Sequence, residues 1–192
     1  MHSSAIANSL AEPGWLSLVG VALPISIKPL GKGHDRSTFS CGQNELDDWF
    51  RRRASQDERR NVARVFVATD DDVEVVGFYS LSSFTLALEE LPDDIARKLP
   101  RYDAIPAALI GRLARDQRAR GKGIGELLLA DAIRRILGAG QSLAVFAIVV
   151  DAKEHNAIAF YRAFGFTPLP NHPRRLFLLT SVAAEAFSRS VG

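Results

Sequence analysis

Cysteine is nearly absent: Cys41 stands alone in 192 residues. One thiol excludes an internal disulfide framework and any cysteine-built zinc site, and nothing around it marks a cysteine hydrolase. It reads as the filler of a buried turn. Long apolar runs are missing as well. The best, Trp15 to Leu23, is far short of the roughly 20 residues that span a bilayer. No basic residue precedes it, so it fails as a secretory signal, and a cytoplasmic protein is expected. Internal repeats and low-complexity tracts are lacking. Lys and Arg are missing between Val65 and Ala96, where eight acids stand.

What is present suits one globular domain, with 47% hydrophobic and 24% charged residues and enough length to enclose a sizeable core. The formal charge of +2 conceals a segregation. Residues 51–64 carry six arginines against Asp57 and Glu58, and residues 112–122 carry five cations against Asp116, each a net +4. Two basic patches beside an acidic stretch suit a polyanionic partner; for residues 51–64 an ordinary solvated helix face is the plain alternative.

The pattern predicts a mixed α/β (α+β) chain. Residues 1–24 form an extension of unknown role, and residues 25–192 a single domain. Strands are expected at Ile25–Pro29, Ala63–Thr69, Val73–Phe84, Leu109–Arg115 and Leu143–Val150, with a closing hairpin of Phe166–Leu169 and Arg175–Thr180. Leu143–Val150 is unbroken in its apolarity, the mark of a strand buried on both faces. Ser40 to Asn44 supply cap and turn residues before a helix bearing Leu46, Trp49 and Phe50, which the arginines of 51–60 extend. A short helix is expected from Pro92, and Pro100 and Pro106 bracket a loop. An apolar stripe through Ile124, Leu128, Ala132 and Ile136 marks a long helix, Asn156 opens another that Gly165 stops, and Val182–Ser190 ends the chain as a helix.

The chemistry concentrates between Leu109 and Leu129. Asp116 to Gly123 join a strand to a helix through a turn rich in glycines and cations. Gly121, Gly123 and Gly125 leave the backbone unobstructed, so successive N–H groups converge on one anion. The helix beyond adds unpaired N–H groups and the positive end of its dipole. A P-loop would need Gly at 116 and Ser or Thr at 123, and the dinucleotide fingerprint needs a different glycine spacing. Arg118-Ala-Arg-Gly-Lys-Gly123 instead resembles the pyrophosphate-gripping signature of GNAT-fold N-acetyltransferases.

The resemblance runs from about Ile25 to Ser190 and includes Asn156-Ala-Ile-Ala-Phe-Tyr-Arg-Ala-Phe-Gly-Phe166. Phe39-Ser-Cys-Gly-Gln-Asn-Glu-Leu46 and Ile110-Gly-Arg-Leu-Ala114 narrow it to the GNAT toxins of type II toxin–antitoxin modules. It implies a mixed central sheet whose two parallel strands splay, flanked by helices. It also implies acetyl-CoA held by Leu113, Ala114, Arg115, Arg118, Ala119, Arg120, Gly121, Lys122, Gly123, Ile124 and Gly125, with Asn156 on the pantetheine arm or acting as a plain helix cap. The implied acceptor is aminoacyl-tRNA, the implied antagonist a ribbon–helix–helix antitoxin, and a homodimer is expected by analogy; no metal is implied.

Acyl transfer from a thioester needs a placed carbonyl, an unprotonated amine and a proton for the leaving thiolate. A backbone N–H near Leu113 would polarise the carbonyl. Tyr161 is the expected general acid, since a phenol near pKa 10 keeps its proton at neutral pH while bonding a leaving sulfur; a plain core aromatic is the alternative. Ala107–Arg115 holds no carboxylate, although Asp116 or a water remains available as base. Deprotonating a lysine at pH 7 costs about 4.6 kcal/mol and an α-amine about 1 kcal/mol, so a site without a strong base suits an α-amine. Arg51, Arg52, Arg53, Arg59, Arg60 and Arg112 are the candidates for tRNA phosphates. The rival readings are an acetyltransferase for a protein or small-molecule amine, and a non-catalytic CoA-binding regulator.

Overall fold

The computed structural model of the chain describes residues 25–70 and 74–190. The extension at 1–24, with its Trp15–Leu23 run, lies outside the described residues, as do Asp71 and Asp72 of the expected turn. Seven strands, β1 (Ile25–Pro29), β2 (Arg64–Asp70), β3 (Glu74–Ala87), β4 (Ala104–Arg115), β5 (Ala147–Asp151), β6 (Thr167–Leu169) and β7 (His172–Leu179), form one sheet in the order β1-β2-β3-β4-β5-β7-β6. Only β4 and β5 run parallel. Helices α1 (Asn44–Arg52) and α2 (Ala54–Arg59) lie between β1 and β2, and the short α3 (Asp93–Ala96) precedes β4. Helix α4 (Ile124–Ala139) crosses from β4 to β5, α5 (His155–Ala163) follows β5, and α6 (Thr180–Ser190) ends the described chain. No helix among the described residues is long and apolar enough to cross a membrane.

The expected elements are present, with some boundaries moved. Pro106 lies inside β4, not in a loop before it. β3 runs alongside as far as the Ala87–Ala104 pair, and the Pro106 carbonyl still accepts the Phe146 N–H at 2.9 Å. Residues 143–146 stand outside β5, because pairing to both β4 and β7 starts at Ala147, and Leu143 is 71% exposed. The helical region of 44–59 is broken at Arg53 into α1 and α2, and the α1 cap is Gln43, which makes no side-chain cap bond. Asn156 is likewise not a helix cap: Glu154 holds that position.

The sheet is covered on both faces. On one, α4 packs Ile124, Leu128, Leu129, Ala132, Ile133 and Ile136 against Ala68, Tyr79, Ile110, Ile148 and Val150. Gly77 permits that approach, because a Cβ there would stand 2.8 Å from Leu128 Cδ1 and 3.2 Å from the Ala114 carbonyl. On the other face, Trp49, Phe50 and Ala54 join Phe39, Val65, Val67, Phe78 and Ala114, with the Phe50 and Phe78 rings stacked at 4.0 Å. β5 contributes Ile148 and Val150 to one layer and Ala147 and Val149 to the other, as its apolar run requires.

Two features set the site. The first is a bulge in β4: Ser80 pairs with Arg112 and Leu81 with Ile110, so Gly111 is the extra residue. Before it, Ile105 and Ala107 face away from α4; beyond it the parity reverses, and Ala114 takes that face. Arg112 is thereby carried to the side of α1, its guanidinium 4.0 Å from the centre of the Trp49 ring. The second is a clasp around Asp116, which is 2% exposed. Its carboxylate accepts the Ser40 amide at 3.0 Å and the Arg118 amide at 2.8 Å, and it receives the Arg118 Nε and a terminal nitrogen at 2.9 and 3.0 Å. Ser40 in turn donates its hydroxyl to Asp47 of α1 at 2.9 Å, and the Cys41 amide donates to the same carboxylate at 2.8 Å. Three separated segments are thus fastened end to end.

Burial, the largest influence on Asp116, favours its neutral form, but the Arg118 and Ser40 hydrogen bonds outweigh it and hold the acid below its ordinary value. Its stabilisation is therefore complete above the unfolded pKa and fades as pH falls through the lower folded one. Asp116→Asn is expected to cost about 2–4 kcal/mol at pH 7. The gap between variant and parent should narrow on acidification below about pH 4, as read by urea midpoints across pH. Gly77→Ala should cost about 1–3 kcal/mol through the shift it forces between β3 and α4, measured in the same way.

Candidate active site

β4 and β5 pair only from Ala107–Ala147 to Ile110–Val150. Beyond that point β4 continues as Gly111–Arg115 with β3 alone, while β5 turns away after Asp151, so the strands open into a V. The opening widens into a cleft of about 540 Å³. Leu109–Leu113 form one side, Leu46, Trp49, Arg52 and Arg53 of the α1 region another, and Asp151, Lys153, Glu154, Ala157 and Tyr161 the third. Two exposed polar bonds run from the start of α1 to the β5–α5 turn, Gln43 to Glu154 at 2.9 Å and Lys153 to Glu45 at 2.8 Å.

Tyr161 comes to this cleft from α5, packed edge-on to Phe160 and tilted against Phe166. It is 6% exposed, and no described residue engages its hydroxyl. Burial, followed by the charge of Asp151, pushes the phenol above its ordinary value, so it keeps its proton. Tyr79 is committed elsewhere: its hydroxyl donates to the buried Asp131 at 2.5 Å, where Arg135 also binds at 2.7 Å. Tyr102 is exposed. Burial pushes the half-buried Cys41 thiol up to about 11, and its sulfur donates to the Gln43 carbonyl at 3.8 Å, which makes it a poor nucleophile.

The glycine turn has the geometry of an anion cradle. Gly121 and Gly123 take φ of +77° and +71° with open space around them, so conformation rather than crowding calls for glycine. The first bond of α4 runs from the Leu127 N–H to the Gly123 carbonyl. The N–H groups of Ile124, Gly125 and Glu126 precede it and are therefore left to the turn's mouth. Arg120 and Lys122 are exposed beside it, whereas Ala114 and Ala119 are buried and offer only backbone there. Arg115 is half-buried and its guanidinium lies 3.5 Å from the Asp116 carbonyl; Leu113 lines the cleft. Asn156 is exposed in the first turn of α5.

The structure gives partners to several charges of the two basic patches. Arg118 is not a loose cation beside the turn, since Asp116 and Glu74 both bind its guanidinium. Asp116 is no base for an acceptor, being sealed within its own clasp. The arginines of 51–60 are divided among different contacts. Arg51 donates twice to the Phe39 carbonyl, at 2.8 and 3.2 Å, and so anchors the loop before α1. Arg52 and Arg53 line the cleft with Arg112, while Arg59 and Arg60 are exposed at the far end of α2. Burial lowers the Arg112 pKa, opposed by the charges of Asp57 and Glu45. Asp151, Lys153 and Glu45 are cleft residues that sequence patterning did not single out. Asp151, the charge that closes the apolar run of β5, was the one visible signal.

Comparison with known proteins agrees with this geometry. The family model described as "Acetyltransferase (GNAT) family" matches residues 33–166. A Sinorhizobium fredii protein described as "Probable toxin TacT" is 37% identical over 161 residues, covering 79% of this chain and 89% of its own. A "tRNA-acetylating toxin" of Mycobacterium tuberculosis is 41% identical over 145 residues, covering 76% and 86%. Among solved structures, AtaT complexed with acetyl-methionyl-tRNAfMet aligns at TM-score 0.79 and 26% identity, over 85% of this chain and 99% of that one. AtaTR bound with acetyl-CoA aligns at 0.75 and 26% identity, over 85% and 98%. With its splayed strands, glycine turn and cleft tyrosine, this chain belongs to the GNAT acetyltransferase family.

Proposed function

We propose that this protein transfers the acetyl group of acetyl-CoA to the α-amine of an aminoacyl-tRNA and so acts as a translation-blocking toxin. The observation that carries the reading is that Tyr161 lines the cleft at the opening of β4 and β5, with no described residue engaging its hydroxyl. In this reading the open N–H groups of Ile124, Gly125 and Glu126, with the Arg120 and Lys122 side chains, take the pyrophosphate. The pantetheine lies along the exposed backbone of Gly111–Arg115 past Asn156, and an N–H near Leu113 polarises the thioester carbonyl. The amine nitrogen bonds to the carbonyl carbon, the C–S bond breaks, and Tyr161 supplies the thiolate's proton.

The acceptor assignment draws on the relatives described as tRNA-acetylating and as a TacT toxin, and on the neighbour holding acetyl-methionyl-tRNAfMet. Arg52, Arg53 and Arg112 line the cleft that an acceptor strand would enter, with Arg59 and Arg60 exposed further out at the end of α2. A cognate antitoxin, of ribbon–helix–helix type by family resemblance, would neutralise the protein. A homodimer and a cytoplasmic site of action belong to the same reading.

Tyr161→Phe is expected to slow turnover in aminoacyl-tRNA acetylation by about 10²–10⁴-fold with little change in stability. Induced in cells, the parent should arrest growth and the variant should not. Arrest that persists with Tyr161→Phe would remove the phenol from the mechanism. Arg52→Ala with Arg53→Ala should weaken tRNA binding, reduce the salt-dependence slope by about one per charge, and leave acetyl-CoA affinity unchanged, as read by binding isotherms at several salt concentrations.

A further inference from the structure

An N-acyl transfer has two proton problems. The leaving sulfur must gain one, and the attacking amine must lose one. Tyr161 answers the first. For the second, β4 offers no carboxylate, and Asp116 is sealed. The neighbouring strand does offer one. Val150 pairs with Ile110, so Asp151 is the first residue of β5 beyond the parallel pairing, level with the Gly111 bulge. It lines the same cleft as Tyr161, Arg112 and Leu113. Its side chain is 43% exposed and therefore reachable.

Its orientation is fixed from behind. β5 and β7 pair Asp151 directly with Arg175, whose Nε donates to Oδ1 at 2.7 Å and whose terminal nitrogen donates to Oδ2 at 3.2 Å. The guanidinium itself lies 5.1 Å from the centre of the Phe84 ring on β3. A bidentate arginine occupies one edge of a carboxylate and leaves the other lone pairs to accept further hydrogen bonds. A flexible surface aspartate is thereby turned into a directed acceptor beside the reaction point.

We propose that Asp151, held by Arg175, orients the acceptor amine in the cleft and receives the proton it sheds. This rests on the acetyltransferase reading above and specifies its acceptor side. The amine N–H donates to the free edge of Asp151, which aims the nitrogen lone pair at the thioester carbonyl. As the N–C bond forms and the C–S bond breaks, that N–H proton passes to Asp151 and the Tyr161 proton passes to sulfur. The proton on Asp151 then returns to the phenolate directly or through water, so both groups end as they began and only amide and thiol are produced. The charge of Asp151 already bears on the Tyr161 phenol, consistent with the two sharing one pocket. A carboxylate here also selects acceptors: an N–H donor is welcomed, whereas a tRNA ester bearing an α-hydroxyl presents one donor fewer and a weaker nucleophile. Arg175 is a positioning residue, since it acts only through Asp151.

The test is steady-state kinetics of Asp151→Asn, Asp151→Ala and Arg175→Lys in the full chain, with melting curves beside them. The acceptor is whichever amine the parent protein acetylates, aminoacyl-tRNA being tried first. Both Asp151 variants should turn over at least tenfold more slowly than the parent, with KM for acetyl-CoA within twofold. Added formate should restore part of the Asp151→Ala rate, and Arg175→Lys should retain more activity than either. Formate rescue is a readout that a merely structural aspartate would not give. Asp151 variants with turnover within threefold of the parent would overturn the proposal. So would a loss that appears as weaker acetyl-CoA binding, or variants that fail to fold. If the parent acetylates another amine and not aminoacyl-tRNA, the acceptor assignment fails while Asp151 is still judged on the amine accepted.

Discussion

The pairing of β4 with β5 lasts for four residues and then ceases, and the rest of the site follows from that. A parallel pair that stops midway leaves backbone groups facing one another across a gap. Uncovered polar backbone inside a sheet is costly, so such a gap persists only where the surrounding structure holds it open and a substrate or water fills it. Here β4 stays with β3, which pairs with it from Ala104 to Arg115, while β5 stays with β7 as far as Asp151. The bulge at Gly111 sits at the parting and swings Arg112 onto the Trp49 ring.

Charge around this opening is divided by what each group is bonded to. The most buried acid, Asp116, is spent on architecture: it joins the glycine turn to the loop before α1, and Ser40 carries the link on to Asp47. Arg118 and Arg51 are consumed in the same framework. Arg120 and Lys122 beside the turn, and Arg52 and Arg53 beside the cleft, are exposed and stand outside that framework, so they stay solvated until a phosphate replaces water. A basic sequence patch thus divides into residues that build the site and residues that meet a ligand, which composition alone does not separate.

Much of this was legible in the chain itself. The glycine turn, the long helix after it and the doubly buried β5 declare themselves through local periodicity and spacing, whereas Tyr161 was singled out through the family resemblance of residues 156–166. The departures are equally physical. Leu143–Phe146 look like strand because apolarity is a local property, while strand pairing is not; the ladders to β4 and β7 begin only at Ala147. Pro106 suggested a loop, yet a long partner strand extends the ladder past it. Arg118 matched a phosphate-binding motif, but its partners Asp116 and Glu74 come together only once β3, β4 and the turn are folded.

The order of elements and the cradle geometry at Gly121 and Gly123 were written into the linear chain. Each depends on conformational limits and side-chain spacing within a short stretch. Folding in three dimensions settled the remainder: which charges are free, where the strands part, and that Asp151 stands in the cleft under the grip of Arg175. Those outcomes rest on hydrogen bonds between residues tens of positions apart, and the energy of a charge depends on what the fold places around it.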